Sequence, residues 1–269
     1  MQTTSHFIQT NGIKIHFERT GGDKPPFVFS HGITDNGRCY LRLAEHLADR
    51  YDVILVDARG HGLSEAPKAD DYTADHHADD LYGLIQGLEL KNPILYGHSM
   101  GARTVARLAA KYPEVPRAVI LEDPVFIVPP TPEETVGHDQ WVNQFRAEIE
   151  RWKTLSEAER LQMAEDAGHR DWTDAEKLEW ARSRVQVTPN VINMGNTMGT
   201  IPLDFPKITC PVLILKADAD AETQKKQEAA AATIPQGKII HVKDAGHNVR
   251  RENWADTVRY LDEFLSQFA

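Results

Sequence analysis

The chain has 269 residues, enough for one or two domains and one large core, since a chain of this size buries roughly three quarters of its unfolded surface. Asp and Glu outnumber Lys and Arg by 40 to 30, and the net charge of -10, with no local basic stripe, excludes nucleic acid as the expected partner. No apolar run approaches the roughly 20 residues of a membrane span, Met1 to Thr10 lacks the charged and apolar regions of a signal peptide, and the two cysteines, Cys39 and Cys210, are too few and too far apart for a Cys-based zinc cluster. A cytoplasmic protein with two reduced thiols and a small-molecule substrate is expected, and its oligomeric state is not readable.

Phe7 to Glu18 sets Asn11-Gly12 between two partly alternating runs, the strongest short-range sign of a hairpin. After Gly21-Gly22 and Pro25-Pro26 come six short apolar runs: Phe27 to Ser30, Val53 to Val56, Pro93 to Tyr96, Ala118 to Leu121, Val212 to Leu215 and Ile239 to Val242. They lack polar alternation, as strands buried on both faces should. Helix-length segments lie between most of them, Arg38 to Asp49, Ala74 to Leu90, Met100 to Lys111 and Glu222 to Thr233, and Trp254 to Ser266 closes the chain. Strand alternating with helix predicts an α/β fold: a mostly parallel, doubly wound sheet of eight strands, counting the hairpin, with flanking helices.

One interval breaks the alternation. Asp123 and Pro211 are separated by several times the dozen or so residues of a simple crossover. Pro124, Pro129, Pro130 and Pro132 open this interval, polar amphipathic segments follow, and Trp141, Trp152, Trp172 and Trp180 lie within it with Met163, Met194 and Met198. It reads as a helical cap over 124–205, inserted after the sixth strand into a core domain of 1–123 and 206–269. Aromatic burial staples so small a unit together, with one or two tryptophans left to face an apolar or aromatic part of a ligand.

The sharpest chemical signal is Gly97-His98-Ser99-Met100-Gly101, a G-x-S-x-G between an expected strand and an expected helix. The glycines permit a turn so tight that the serine hydroxyl stands exposed at the carboxyl edge of the sheet, beside a helix N-terminus that favours developing negative charge. A serine hydroxyl needs a base. Of twelve histidines, His247 follows the last expected strand in Asp244-Ala245-Gly246-His247-Asn248, at the edge where Ser99 should be. Three carboxylates at strand ends could orient it: Asp123 before the cap, and Asp218 and Asp220 after it. His31-Gly32-Ile33 follows the third strand, so the N–H groups of Ile33 and Met100 are placed to hold an oxyanion, with His31 bracing the loop.

With these residues the sequence resembles the α/β-hydrolase fold family, and in particular its capped esterase-like members. The resemblance covers nearly the whole chain and includes Asp57-Ala58-Arg59-Gly60-His61-Gly62-Leu63-Ser64, similar to a D-x-R-G-x-G-x-S loop of that family. In that family the acid commonly closes a G-x-x-D after the strand following the cap. Ala217-Asp218-Ala219-Asp220 matches it with Ala for Gly, which favours Asp220; a minority of members resemble the alternative, Asp123. Relatives that open epoxides or carbon–halogen bonds use an aspartate nucleophile, which this elbow lacks.

The resulting expectation is a serine hydrolase cleaving a carboxylic ester or lactone through an acyl-enzyme, with Ser99, His247 and Asp220 as triad and Ile33 and Met100 as oxyanion donors, and with neither cofactor nor metal. A carbon–carbon (diketone) hydrolase and a cofactor-free perhydrolase resemble the same triad, and a non-catalytic ligand sensor on this scaffold would show a missing member; none is missing.

Overall fold

The structure, a computed structural model, describes residues 1–68, 70–126, 132–169, 171–193 and 201–268, the side chains of 132–139 and 201 excepted. Pro129, Pro130, Met194 and Met198 of the expected cap lie outside the described residues. Strands β1 (Thr4–Thr10) and β2 (Ile13–Arg19) form the expected hairpin, turned by Asn11 and Gly12 at φ 46° and 80°, the left-handed geometry that an Asn-Gly pair accepts. β3 (Pro26–Ser30), β4 (Asp52–Val56), β5 (Ile94–His98), β6 (Ala118–Glu122), β7 (Val212–Lys216) and β8 (Gly237–His241) follow. The sheet order is β1-β2-β4-β3-β5-β6-β7-β8, with β3 to β8 mutually parallel and β2 antiparallel to both β1 and β4.

Alternate residues of the parallel strands feed two apolar layers, as a period of two requires. Val28, Ile54, Leu95, Leu121 and Ile214 pack against α2 (Ala74–Gly87) and α3 (Met100–Lys111). Phe27, Phe29, Val53, Tyr96, Ile120 and Leu213 pack against α1 (Leu41–Leu47) and α10 (Trp254–Leu265). The expectation of two buried faces fails for β8: it is the sheet's edge, and none of its residues is fully buried. Among the described residues no helix is long and apolar enough to cross a membrane.

Between β6 and β7 the chain forms α4 (Pro132–Thr154), α5 (Glu157–Asp166), α6 (Asp174–Ser183) and the short α7 (Ile201–Asp204). Ser156 with Glu159 and Thr173 with Glu176 start α5 and α6 as capping boxes, in which hydroxyl and carboxylate satisfy each other's backbone N–H. Polar bonds tie α6 to α1 and the region before it: Arg38 to Glu179 at 3.1 Å, Arg42 to Glu176 at 3.3 Å, and Ser183 Oγ donating to the Thr34 carbonyl at 2.9 Å. Phe205, just past α7, lies fully buried in the main core, edge-on to Phe126. Helices α8 (Ala221–Ala231) and α9 (Val249–Glu252) complete the element order.

Candidate active site

The parallel strands all end at one edge, and the residues just past those ends build the site. Ser99 lies between β5 and α3 at φ 52°, ψ -110°, a conformation strained for a residue with a side chain. Both elbow glycines are required by close approach: a Cβ on Gly97 would lie 2.6 Å from Ala102 N, and one on Gly101 2.8 Å from the His31 carbonyl oxygen. Met100 begins α3, so its N–H has no partner within the helix.

His31 braces the loop before it. Its Nδ1–H donates to the Gly32 carbonyl at 2.8 Å and its Nε2 accepts the Ala58 N–H at 3.0 Å, while His61 holds the Ile33 carbonyl at 2.8 Å. The Asp57–Ser64 loop is structural. Asp57 accepts from Gly37 N, Leu63 N and His16 Nδ1 at 2.8 to 2.9 Å, and Arg59 pairs with Asp80 on helix α2.

His247 sits in the turn before α9, where its Nδ1–H donates to Asp123 Oδ2 at 2.5 Å. Asp123 is the residue after β6, at φ 39°, with its side chain 8% exposed. Its other oxygen accepts from Lys216 Nζ and, at 3.1 Å, from Ala217 N, so the carboxylate is fully occupied. Burial alone would raise its pKa, but the His247 hydrogen bond and the Lys216 charge bring it down to about 2. Burial likewise pulls His247 down, and the hydrogen bond and charge of Asp123 outweigh it, leaving the imidazole above its ordinary value.

Asp220 does not reach the imidazole. It is the N-cap of α8, exposed, accepting the N–H groups of Glu222 and Thr223 at 3.0 Å each and the Thr223 hydroxyl at 2.7 Å. A carboxylate satisfied by its own helix start has no reason to leave it. Asp218, also exposed, accepts from Ala219 N and Asp244 N at 2.9 and 3.0 Å. The expected acid is therefore corrected to Asp123 on geometry.

Three residues that sequence reasoning passed over fix the imidazole. His98 Nε2–H donates to the His247 carbonyl at 2.8 Å, and burial lowers its pKa to about 4, so the ring is neutral. Glu122, wholly buried beside Asp123, accepts from Arg250 N and Nη1 at 2.9 Å and from the Tyr96 hydroxyl at 3.0 Å, which pins the start of α9. Lys216 stands against both Asp123 and the Phe126 ring. Each is a charged or polar group closing a run of buried apolar strand residues, and that signal is visible in the sequence.

Ser99, His247, Gly32, Ile33, Asp35, His98 and Asn248 line a cavity of about 290 Å³, closed by Phe145, His169, Trp172, Trp180 and Arg184 from the segment between β6 and β7. This volume is at the lower end of small-molecule sites. Trp172 and Trp180 thus face the cavity, Trp152 is buried against Tyr72 and Met100, and Trp141 is partly exposed, stacked on Phe145.

Residues 25–170, more than half of the sequence, match the family model described as alpha/beta hydrolase fold. The chain belongs to the α/β-hydrolase fold family. Over 105 residues, 39% of this chain and 37% of the relative, it is 46% identical to the 2-(acetamidomethylene)succinate hydrolase of Mesorhizobium japonicum. It is 36% identical over 119 residues to the N-formylmaleamate deformylase of Pseudomonas putida, 44% of each chain. The matches thus span less than half of the length of these two curated enzymes. A crystal structure of E-2-(acetamidomethylene)succinate hydrolase superposes with a TM-score of 0.78 at 26% identity, covering 98% of this chain and 100% of the other.

Proposed function

We propose that this member of the family is a serine hydrolase acting on a small carboxylic acid derivative, an ester or lactone, through an acyl-enzyme. The observation that carries the reading is the 2.5 Å bond from His247 Nδ1 to Asp123, which leaves Nε2 as the ring's proton acceptor in a cavity shared with Ser99. Ser99 Oγ attacks the carbonyl as His247 takes its proton; Asp123 holds the tautomer and stabilises the imidazolium. The N–H groups of Ile33 and Met100 receive the oxyanion. His247 then returns the proton to the leaving group, and water repeats the sequence to release the acid. The segment from α4 to α6 acts as a cap that shapes the acyl or leaving-group side. The names of the two curated relatives, a hydrolase of an acetamidomethylene compound and a deformylase, extend the reading to amides.

A fluorophosphonate tests this directly. One covalent adduct on Ser99, found by peptide mass spectrometry and lost in Ser99→Ala, is the expected result; an adduct elsewhere, or full turnover by Ser99→Ala, refutes it. Esters, lactones, amides and diketones offered to the same protein then identify the bond cleaved.

A further inference from the structure

The cavity wall opposite the elbow carries charge that the triad does not use. Arg184, one residue past α6, is 6% exposed and lies over Trp180 at 4.0 Å and Trp152 at 4.9 Å. Its Nη1 donates to the Thr34 carbonyl and its nearest carboxylate oxygen, on Asp35, is 3.7 Å away, but among the described residues its Nε–H has no hydrogen-bond partner. The Trp172 indole N–H, on the same wall and equally buried, also has none. Behind Trp172 lies Arg251, its guanidinium 4.3 Å from the ring, with Nε and Nη2 making no hydrogen bond among the described residues.

Three guanidinium groups gather in this region. Arg184, Arg250 and Arg251 face Asp35, and Arg250 also takes Glu122, so three guanidinium groups share two carboxylates. Glu252 accepts the Gly246 N–H, and its charge also acts on His169. Burial lowers the pKa of Arg184 to about 10 despite Asp35, as for a cation short of compensation. Of the nearby imidazoles, His98 and His169 are both held below their ordinary pKa by burial, and His247 is committed to Asp123.

A buried donor without a partner is costly to keep, and a protein keeps such groups where a ligand completes them. Two unfilled donors, one of them on a guanidinium group, suit an anion with a planar pair of acceptors. We infer that the substrate is an acid: beyond the bond that is cleaved it carries a free carboxylate, received by Arg184 Nε–H and the Trp172 indole N–H while its scissile carbonyl lies at Ser99. A carboxylate fills both donors with charge-assisted hydrogen bonds, which a bulk apolar chain cannot do. The cleavage itself rests on the serine-hydrolase reading; the anion subsite does not.

Two experiments separate the claims. Ethyl hydrogen succinate and ethyl butanoate differ in a terminal carboxylate against a methyl group. The wild-type protein should favour the acid in kcat/KM, Arg184→Gln should shrink that preference by roughly 10- to 100-fold, the range of a lost charge-assisted hydrogen bond, and Arg184→Lys should restore part of it. Because Arg184→Gln removes a buried contact, binding is also read in Ser99→Ala with Arg184 intact: succinate, glutarate and adipate are titrated by calorimetry against their diamides. Binding of at least one dicarboxylate, with no binding of its diamide, is expected. No binding by any of them, or equal turnover of acid and neutral ester, overturns the inference even when Ser99 is labelled by the fluorophosphonate. Dicarboxylate binding without Ser99 labelling overturns the acyl-enzyme reading and leaves the subsite standing.

Discussion

Replacing Asp123 with Asn is the most informative single change, because the structure says where each amide atom must go. Lys216 Nζ and Ala217 N both donate to one carboxylate oxygen, so the amide oxygen takes that place and the NH2 group is turned toward His247. A donor facing Nδ1 favours the imidazole tautomer with its proton on Nε2, which cannot accept from Ser99, and the imidazolium formed during attack has lost its counter-charge. Such a change costs about 10⁴ in turnover, or about 5.5 kcal/mol at 1.36 kcal/mol per tenfold. Stability falls as well. A carboxyl lowered from 3.8 to about 2 contributes about 2 kcal/mol above the unfolded pKa, lost as pH falls toward 2. Asp220→Asn provides the contrast: Asn caps a helix as well as Asp, so activity should stay within about twofold and the midpoint of urea unfolding should barely move. The assay is kcat/KM on a short acetate ester, with circular dichroism to show that each variant is folded. A drop of about 100-fold in Asp220→Asn, or less than tenfold in folded Asp123→Asn, would refute the reasoning.

Further outcomes follow from the same contacts. Activity should rise with pH through a midpoint above 6.5, because Asp123 raises the pKa of His247 and only the neutral ring accepts the serine proton; a profile flat from pH 5.5 to 8 contradicts this. Lys216→Met removes a cation that disfavours the His247 imidazolium, so the midpoint should move further up; a downward move would show that Lys216 acts on His247 chiefly by holding Asp123 ionised. Glu122→Gln removes the nearer of the two carboxylates that compensate the buried Arg250 guanidinium and should lower unfolding stability by about 3 kcal/mol, measured in urea. Gly101→Ala places a methyl group against the Ser30 and His31 backbone, so soluble yield or Tm should fall sharply, and unchanged values would show that the elbow has room.

Much of the architecture was legible because it rests on local rules. The Asn-Gly hairpin, the apolar strands without alternation and the glycines around Ser99 each carry their geometry in a few adjacent residues. The acid was not legible, because Asp123 and Asp220 have equivalent contexts in one dimension: each follows an apolar strand. What separates them is the left-handed backbone of Asp123, the partner Lys216 from the neighbouring strand, and the nearby α8 N–H groups that occupy Asp220. The edge position of β8 was hidden for a related reason, since its apolar residues read like a central strand and only the strand order exposes them. The cluster of Asp35, Arg184, Arg250 and Arg251 joins distant segments and had no local pattern to betray it.

The place of Asp123 ahead of the inserted helices also bears on how such a protein can change. In the proposed mechanism, nucleophile, oxyanion donors and acid all lie within the first 123 residues, and only the imidazole comes from beyond the segment between β6 and β7. One catalytic contact, Asp123 to His247, spans the joint, whereas an acid at Asp220 would have put the whole insertion between nucleophile and acid. Exchange of that segment, the proposed cap, would alter what the pocket admits while the spacing of Ser99 and Asp123 stays constant. The Arg184 wall would travel with that segment, so a taste for acidic substrates could be gained or lost in one genetic step.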